Sequence, residues 1–391
     1  MKNSPLPLPD VPGDRPWDDS FTIPLGEIPK LGDNSETASP QSLFRGDLRA
    51  MDDLKLPSAS TPVSRRRKRR LIAMFAVLIA LPVGAYLAIM ALMYLKQDDL
   101  IFAGNVSQGR PDSFVEPPKW ASLVRLSTSE GERVIALYAP AANRDGSPRL
   151  DSASCPTALY FYGSGMYLGR SVSMLDALRR DGLNVLMPDY VGYGMSGGKA
   201  SERGCRSTAD ASYEYLVDSL GVDPRRLVVE GGSLGAAVAI DLASRREVGG
   251  LVVMSGFTSL GEVSRLQYPW LPIKLLLNHP FNSLAKIGRA RCPTLITHGT
   301  ADPLIPFTMS IRLAEAAEQA THQPVPGADH DDTLYLAGPS GALLPTNLRG
   351  PHHRFTDEVN ESIRSYFARV FGAEPAFQIV PVESRNDGGR R

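Results

Sequence analysis

Cysteine is scarce in this chain. Three occur among 391 residues, Cys155, Cys205 and Cys292, and none stands at a spacing that a metal centre uses, so no metal site is expected. Cys155 and Cys292 each precede a proline at the expected start of a strand, and all three thiols read as structural or inert. A disulfide through Cys205 stays open for an oxidising compartment. A net charge is lacking too: 42 basic and 42 acidic residues cancel to zero. Without a basic surplus the chain has no electrostatic footprint for nucleic acid, and no such partner is expected. Histidine is limited to six residues, so chemistry that needs an imidazole base has few places to arise. No internal repeat is apparent.

What is present is ordinary on average and uneven along the chain. With 43% hydrophobic and 21% charged residues, the composition suits a globular protein, and the length allows one large domain or two. Residues 1–64 are rich in Pro, Ser, Asp and Gly, as in "NSPLPLPDVPGDRPWDD". Such a segment has too little apolar surface to offset the entropy of ordering, so it is expected to be a disordered arm.

From Leu71 to Leu95 the sequence carries no charge. As a helix this run is about 37 Å long, against a hydrocarbon core of about 30 Å, and it predicts a transmembrane helix with room for tilt. Pro82 and Gly84 are tolerable there and mark the place for any kink. The basic run Arg65 to Arg70 flanks one end, and Asp98 and Asp99 flank the other. This asymmetry puts the N-terminus in the cytoplasm and everything after Leu95 across the membrane, in the periplasm if the source is a Gram-negative bacterium. A cleaved signal peptide is the alternative, with Val83-Gly84-Ala85 as its site. The apolar run continues to Leu95 and a long arm precedes it, which favours a retained anchor through residues 71–95.

Beyond about residue 100 the pattern alternates. "TALYFYG", "LNVLMPDY", "RLVVEGG", "GLVVMSG" and "PTLITHG" are short apolar runs, separated by segments such as "SVSMLDALRRDG" and "DASYEYLVDSLG" with helical spacing. Runs of this kind predict an α/β domain: a mostly parallel central sheet, buried on both faces by helices. Glu132 to Ala139 alternates, as an antiparallel edge pair with Trp120 to Ser127 would, and a final helix is expected over Asp357 to Val370. The expected organisation is an arm over 1–64, a basic flank and membrane helix over 65–95, an α/β domain over 96–372 and a flexible tail over 373–391.

Within that frame, "VVEGGSLGAAVAIDLA" (Val228 to Ala243) joins a strand to a helix through Gly231-x-Ser233-x-Gly235. A turn this sharp strains the serine backbone and needs glycine two residues to either side. It lifts the hydroxyl off the sheet edge and leaves the Leu234 N–H at a helix N-terminus, free to meet developing negative charge. A nucleophilic serine needs a base and an orienting carboxylate. Later strand ends offer Asp302 in "LITHGTADPLIP" and His330 in "VPGADHDDT". The chain order Ser, Asp, His is the one this architecture uses. Among the histidines, only His330 follows the last strand directly. Asp329, Asp331 and Asp332 compete weakly with Asp302, because adjacency makes a contact to the His330 ring awkward. A second donor for negative charge is expected in the Gly163-Ser164-Gly165 turn: the Ser164 N–H, ahead of that of Met166.

Residues from about 100 to 335 resemble the α/β-hydrolase superfamily. More narrowly they resemble the membrane-anchored Bem46-type serine hydrolases, relatives of the S9 peptidase clan. The segments that carry the likeness include "DYVGYGMSGGKASERGCRSTADASYEYL", "GVDPRRLVVEGGSLGAAVAIDLA", "YPWLPIKLLLNHPFNSLAKI", "CPTLITHGTADPLIP" and "GADHDD". The resemblance implies serine hydrolase activity, the triad Ser233, Asp302 and His330, and an N-terminal anchor followed by an "LIF" stretch, here Leu100 to Phe102. This sequence departs from the pattern where relatives carry His before the oxyanion glycine. Here the pair is Tyr162-Gly163, and the phenol is a donor able to substitute for the imidazole. Gly232, inside the serine motif, leaves more room beside Ser233. No cofactor is implied. The expected chemistry is acyl transfer to water, on a small-molecule or lipid-like ester or thioester. A serine peptidase and a catalytically vestigial, membrane-tethered interaction protein are the alternatives. The apolar and aromatic stretch from Leu260 to Ala290 is too short for a large cap domain and is expected to cover the site, dip into lipid, or simply pack.

Overall fold

The computed structural model describes residues 65–330, 362–363 and 365–371. The expected disordered arm, the tail, Asp331, Asp332, His352 and His353 lie outside the described residues. So does much of the expected last helix; residues 362–363 and 365–371 are helical.

The first element, α1, is a helix over Arg65–Ile101 that continues through Pro82. It is long and apolar enough to cross a membrane, and its apolar side chains are exposed. It also runs past the apolar segment by more than a turn. Lys96 and Asp99 pair there at 3.1 Å, and Ile101 packs against the protein core.

Eight strands form one sheet in the order β1-β2-β4-β3-β5-β6-β7-β8. They are β1 (Ser122–Ser127), β2 (Arg133–Ala139), β3 (Thr157–Phe161), β4 (Asn184–Pro188), β5 (Leu227–Gly232), β6 (Gly250–Met254), β7 (Thr294–Gly299) and β8 (Ala320–Val325). β1 and β2 pair antiparallel at one edge, and β2 meets β4 antiparallel. The rest, from β4 to β8, are parallel. Every residue of β3, β4, β5, β6 and β7 is buried, which is why these strands read as unbroken apolar runs. Within the apolar run "TALYFYG" strand β3 ends at Phe161. Tyr162 thereby falls in the loop beyond it.

Helices α2 (Leu168–Arg180), α3 (Glu202–Glu214), α4 (Leu234–Ala243) and α8 (Phe307–Ala316) cover the sheet, with short helices α5 (Leu260–Gln267), α6 (Ile273–Leu276) and α7 (Leu284–Ile287) in the connection between β6 and β7. α3 starts well before the "DASYEYLVDSLG" segment. Ser201 caps it by accepting from the Gly204 N–H at 2.9 Å, and apart from Tyr213 its buried residues are small, among them Cys205, Thr208, Ala209 and Ser212. Small side chains weaken the helical signal in sequence while allowing close packing. α4 is buried along its whole length. The three cysteines are free and buried, Cys205 within α3, so the disulfide left open for it is not formed.

The strand order sets the location of the site. β3 pairs with β4 on one side and with β5 on the other, and Phe161 stands opposite Gly231. The chain therefore reverses its direction of travel across the sheet at β3. Loops leaving the carboxyl ends of β3 and β5 begin side by side, and a crevice opens between them.

Candidate active site

Ser233 sits in the turn between β5 and α4 with φ 54° and ψ −115°. A non-glycine residue takes this conformation only when its surroundings enforce it. The flanking glycines permit it. A Cβ on Gly231 would fall on the Gly235 carbonyl, and one on Gly235 on the Phe161 carbonyl of β3. The second clash is a tertiary one: Gly235 lets α4 lie directly against the neighbouring strand. The Ser233 N–H is anchored to the Met254 carbonyl at the end of β6, 2.9 Å away.

The structure brings Ser233, His330 and Asp302 together. His330 Nε2 lies 3.1 Å from Ser233 Oγ, and His330 Nδ1 lies 2.7 Å from Asp302 Oδ2. Asp302 Oδ1 accepts the Leu304 and Ile305 N–H groups at 2.9 and 2.8 Å. Both carboxylate oxygens are thus committed, which fixes the plane in which the imidazole is held. Burial pushes the Asp302 carboxyl up. Contacts from His298 and His330, the charge on His330 and the Ile305 N–H outweigh that and hold it well below the usual carboxylate range. Asp302 therefore stays ionised at any working pH.

His298 is not singled out by the sequence reading. It is fully buried, and its Nε2 lies 3.2 Å from Asp302 Oδ2 and 2.9 Å from the Ile305 carbonyl. The available signal was that His298, near the end of β7, stands only four residues before Asp302 in the loop that leaves the same strand. The competitor Asp329 is half-buried, while Asp302 holds the contact to His330.

The Gly163-Ser164-Gly165 turn lies beside Ser233. A Cβ on Gly163 would be 3.6 Å from that of Ser233, and Ser164, Ser233 and Leu234 line one cavity. The Met166 N–H is spent on the Gly163 carbonyl at 3.1 Å. The Ser164 and Leu234 N–H groups meet no protein acceptor among the described residues. The Ser164 carbonyl is held from behind by the Gly104 N–H at 2.7 Å and the Tyr193 hydroxyl at 3.0 Å. Tyr162 takes over the anchoring expected of histidine. Its hydroxyl donates to Asp189 Oδ1 at 2.7 Å, and its carbonyl accepts from the Tyr190 hydroxyl at 2.8 Å. Asp189, fully buried just after β4, also accepts from the Leu168 and Met195 N–H groups. Burial pushes its carboxyl up, against the pull of those three donors.

Two cavities meet at Ser233. One, of about 260 Å³, is lined by residues of α1, α5 and α6 and contains no charged side chain among its lining residues. The other, of about 290 Å³, is lined by Gly163, Ser164, Arg170, Ser233 and His330 among others. No group of three His, Cys, Asp or Glu side chains among the described residues is arranged to hold a metal ion.

No family profile matches the chain. An uncharacterized protein of Mycobacterium tuberculosis is 36% identical over 265 residues, which covers 66% of this chain and 91% of the relative. The alpha/beta hydrolase domain-containing protein aho-3 of Caenorhabditis elegans is 34% identical over 178 residues, 45% of this chain and 52% of that protein, so the chain spans about half its length. In structure, an alpha-beta hydrolase from Vibrio vulnificus superposes with a TM-score of 0.52 at 17% identity, covering 69% of this chain and 92% of that one, and so shares the fold. With the sheet order and the strained serine turn between β5 and α4, these likenesses identify the chain as a member of the α/β-hydrolase superfamily.

Proposed function

We propose that the chain is a membrane-anchored serine hydrolase that cleaves a carboxylic ester or thioester. The observation that carries this reading is the continuous run of contacts from Ser233 Oγ through His330 to Asp302, at 3.1 and 2.7 Å. Asp302 accepts from His330 Nδ1–H, which leaves the Nε2 lone pair toward the serine hydroxyl. His330 takes the Ser233 proton as Oγ attacks the substrate carbonyl. The Leu234 and Ser164 N–H groups receive the oxyanion, at a helix N-terminus where charge is favoured. The tetrahedral intermediate collapses, and His330 gives its proton to the departing alcohol or thiol. Water then attacks the acyl-enzyme by the same route, releasing a carboxylic acid and restoring Ser233.

The uncharged, largely apolar lining of the 260 Å³ cavity supports an ester or thioester that carries an acyl chain. The uncharged run in α1 supports the anchor, and its basic flank at Arg65 to Arg70 supports a cytoplasmic N-terminus.

A fluorophosphonate probe tests the nucleophile. It should label Ser233, and Ser233→Ala should abolish labelling and lower ester turnover by several orders of magnitude. Stability should change by only a few tenths of a kcal/mol, since one oxygen is lost from a half-exposed position. A Ser233→Ala protein that keeps most of its turnover would overturn the reading.

A further inference from the structure

The uncharged cavity beside Ser233 has a wall that the hydrolase core does not supply. Met93, Gln97 and Leu100 line it, all on α1 and at the spacing of one helical face. Val263 of α5, Leu271 and Leu277 are among the residues that line it from the connection between β6 and β7. Gln97, itself buried, ties the two sides together. Its side-chain N–H₂ donates to the Leu276 carbonyl at 3.0 Å, and its side-chain oxygen accepts the Asn278 N–H at 2.8 Å. The helix that carries the uncharged membrane-length run is thus the same element that closes the cavity.

The depth of the junction follows from helix geometry. A hydrocarbon core of about 30 Å takes about 20 helical residues, so a span that starts at Leu71 leaves the core near Met90. Tyr86 lies about 6 Å short of that point. Yet the Tyr86 hydroxyl donates to the Trp270 carbonyl at 2.9 Å. The segment between α5 and α6 therefore meets α1 at the level of the lipid, not above it. The side chains around it suit that position: Leu266 in α5, Trp270 in the connection and Leu275 in α6 are 59%, 51% and 81% exposed. Tyr86, Tyr94 and Trp270 form a set of aromatic rings of the kind that sits at a membrane–water boundary.

We propose that this cavity is an acyl-chain site entered from the bilayer, with the last turns of α1 as one wall. The substrate is then an ester or thioester whose acyl chain lies in the membrane and reaches Ser233 without passing through water. This rests on the serine hydrolase reading given above. A water-borne acetyl ester needs none of this cavity; a decanoyl ester carried in lipid needs most of it.

The test uses the full chain in phosphatidylcholine vesicles, with p-nitrophenyl acetate and p-nitrophenyl decanoate as substrates. The wild type should prefer decanoate. Met93→Trp and, from the opposite wall, Leu277→Trp should each lower the decanoate-to-acetate ratio of kcat/KM about tenfold, as lost room for methylenes does. A wild type that turns over acetate but not vesicle-borne decanoate would overturn the proposal, as would a ratio left unmoved by both variants. A wild type that hydrolyses neither ester and takes no fluorophosphonate at Ser233 would instead sink the hydrolase reading beneath it.

Discussion

At the scale of single residues, Asp302 is the most constrained group in the site. It faces two imidazoles and two backbone N–H groups. On the proposed mechanism His330 is the base, whereas His298, fully buried and absent from the lining of both cavities at Ser233, would act through the carboxylate as a positioning residue. Removing its ring makes Asp302 a better acceptor, because one of the contacts holding its pKa down is gone. The carboxylate should then hold the His330 imidazolium more tightly. His298→Ala is expected to lower ester turnover about 10- to 100-fold and to move the acid limb of the rate profile to higher pH. Asp302→Asn should cost more, about 10⁴-fold, because Asn can stabilise the wrong tautomer. A His298→Ala enzyme that melts earlier but keeps the wild-type pH profile would reduce His298 to a packing residue. The contact between His298 and Asp302 was not legible in sequence, since a histidine before a Gly turn carries no sign of which way its ring folds back.

At the scale of elements, β5 does two jobs that conflict. It ends in the serine turn, and it also holds Glu230, which is fully buried with both carboxylate oxygens unpartnered among the described residues. Burial, helped by the Asp181 charge, pushes its carboxyl from 4.5 up to about 8. In the folded chain Glu230 is neutral at pH 7, whereas in the unfolded chain it is ionised. The folded state thus binds the extra proton, so this group's contribution is intact below pH 4.5 and is lost as pH rises through about 8. Glu230→Gln, which is neutral at every pH, should match the wild type near pH 4.5 and exceed it by a few kcal/mol above pH 8. Melting curves at both pH values check this, and equal Tm differences at the two would contradict it. In sequence the strand itself was plain, because a run buried on both faces is apolar throughout. The fate of Glu230 was not, because periodicity reports that a residue is buried but not what surrounds it.

At the scale of the whole molecule, the question is where the hydrolase domain works. The basic flank of α1 argues that the N-terminus is cytoplasmic and the domain across the membrane. A reporter enzyme fused before Met1 should be active in the cytoplasm, and one fused after Arg391 only on the far side. Reversed signals would overturn that topology. A soluble fragment starting near Tyr86 would mean that the helix is cleaved, with Tyr86, which meets Trp270, left at the new N-terminus.

The sequence by itself determined the fold class and the strained serine turn. Both are written in near neighbours: strand and helix periods of a few residues, and two glycines where no side chain fits. It also named Ser233, Asp302 and His330, since parallel strands deliver their ends to one edge in a known order. Only the tertiary structure decided what surrounds them. Tyr162 reaches Asp189, 27 positions away, and Gln97 reaches Leu276, 179 positions away. Such pairs depend on which strands are adjacent and on where α1 comes to rest. Local pattern carries no information about either, because a side chain's propensity is set by its own backbone and its partner is set by the whole chain's path.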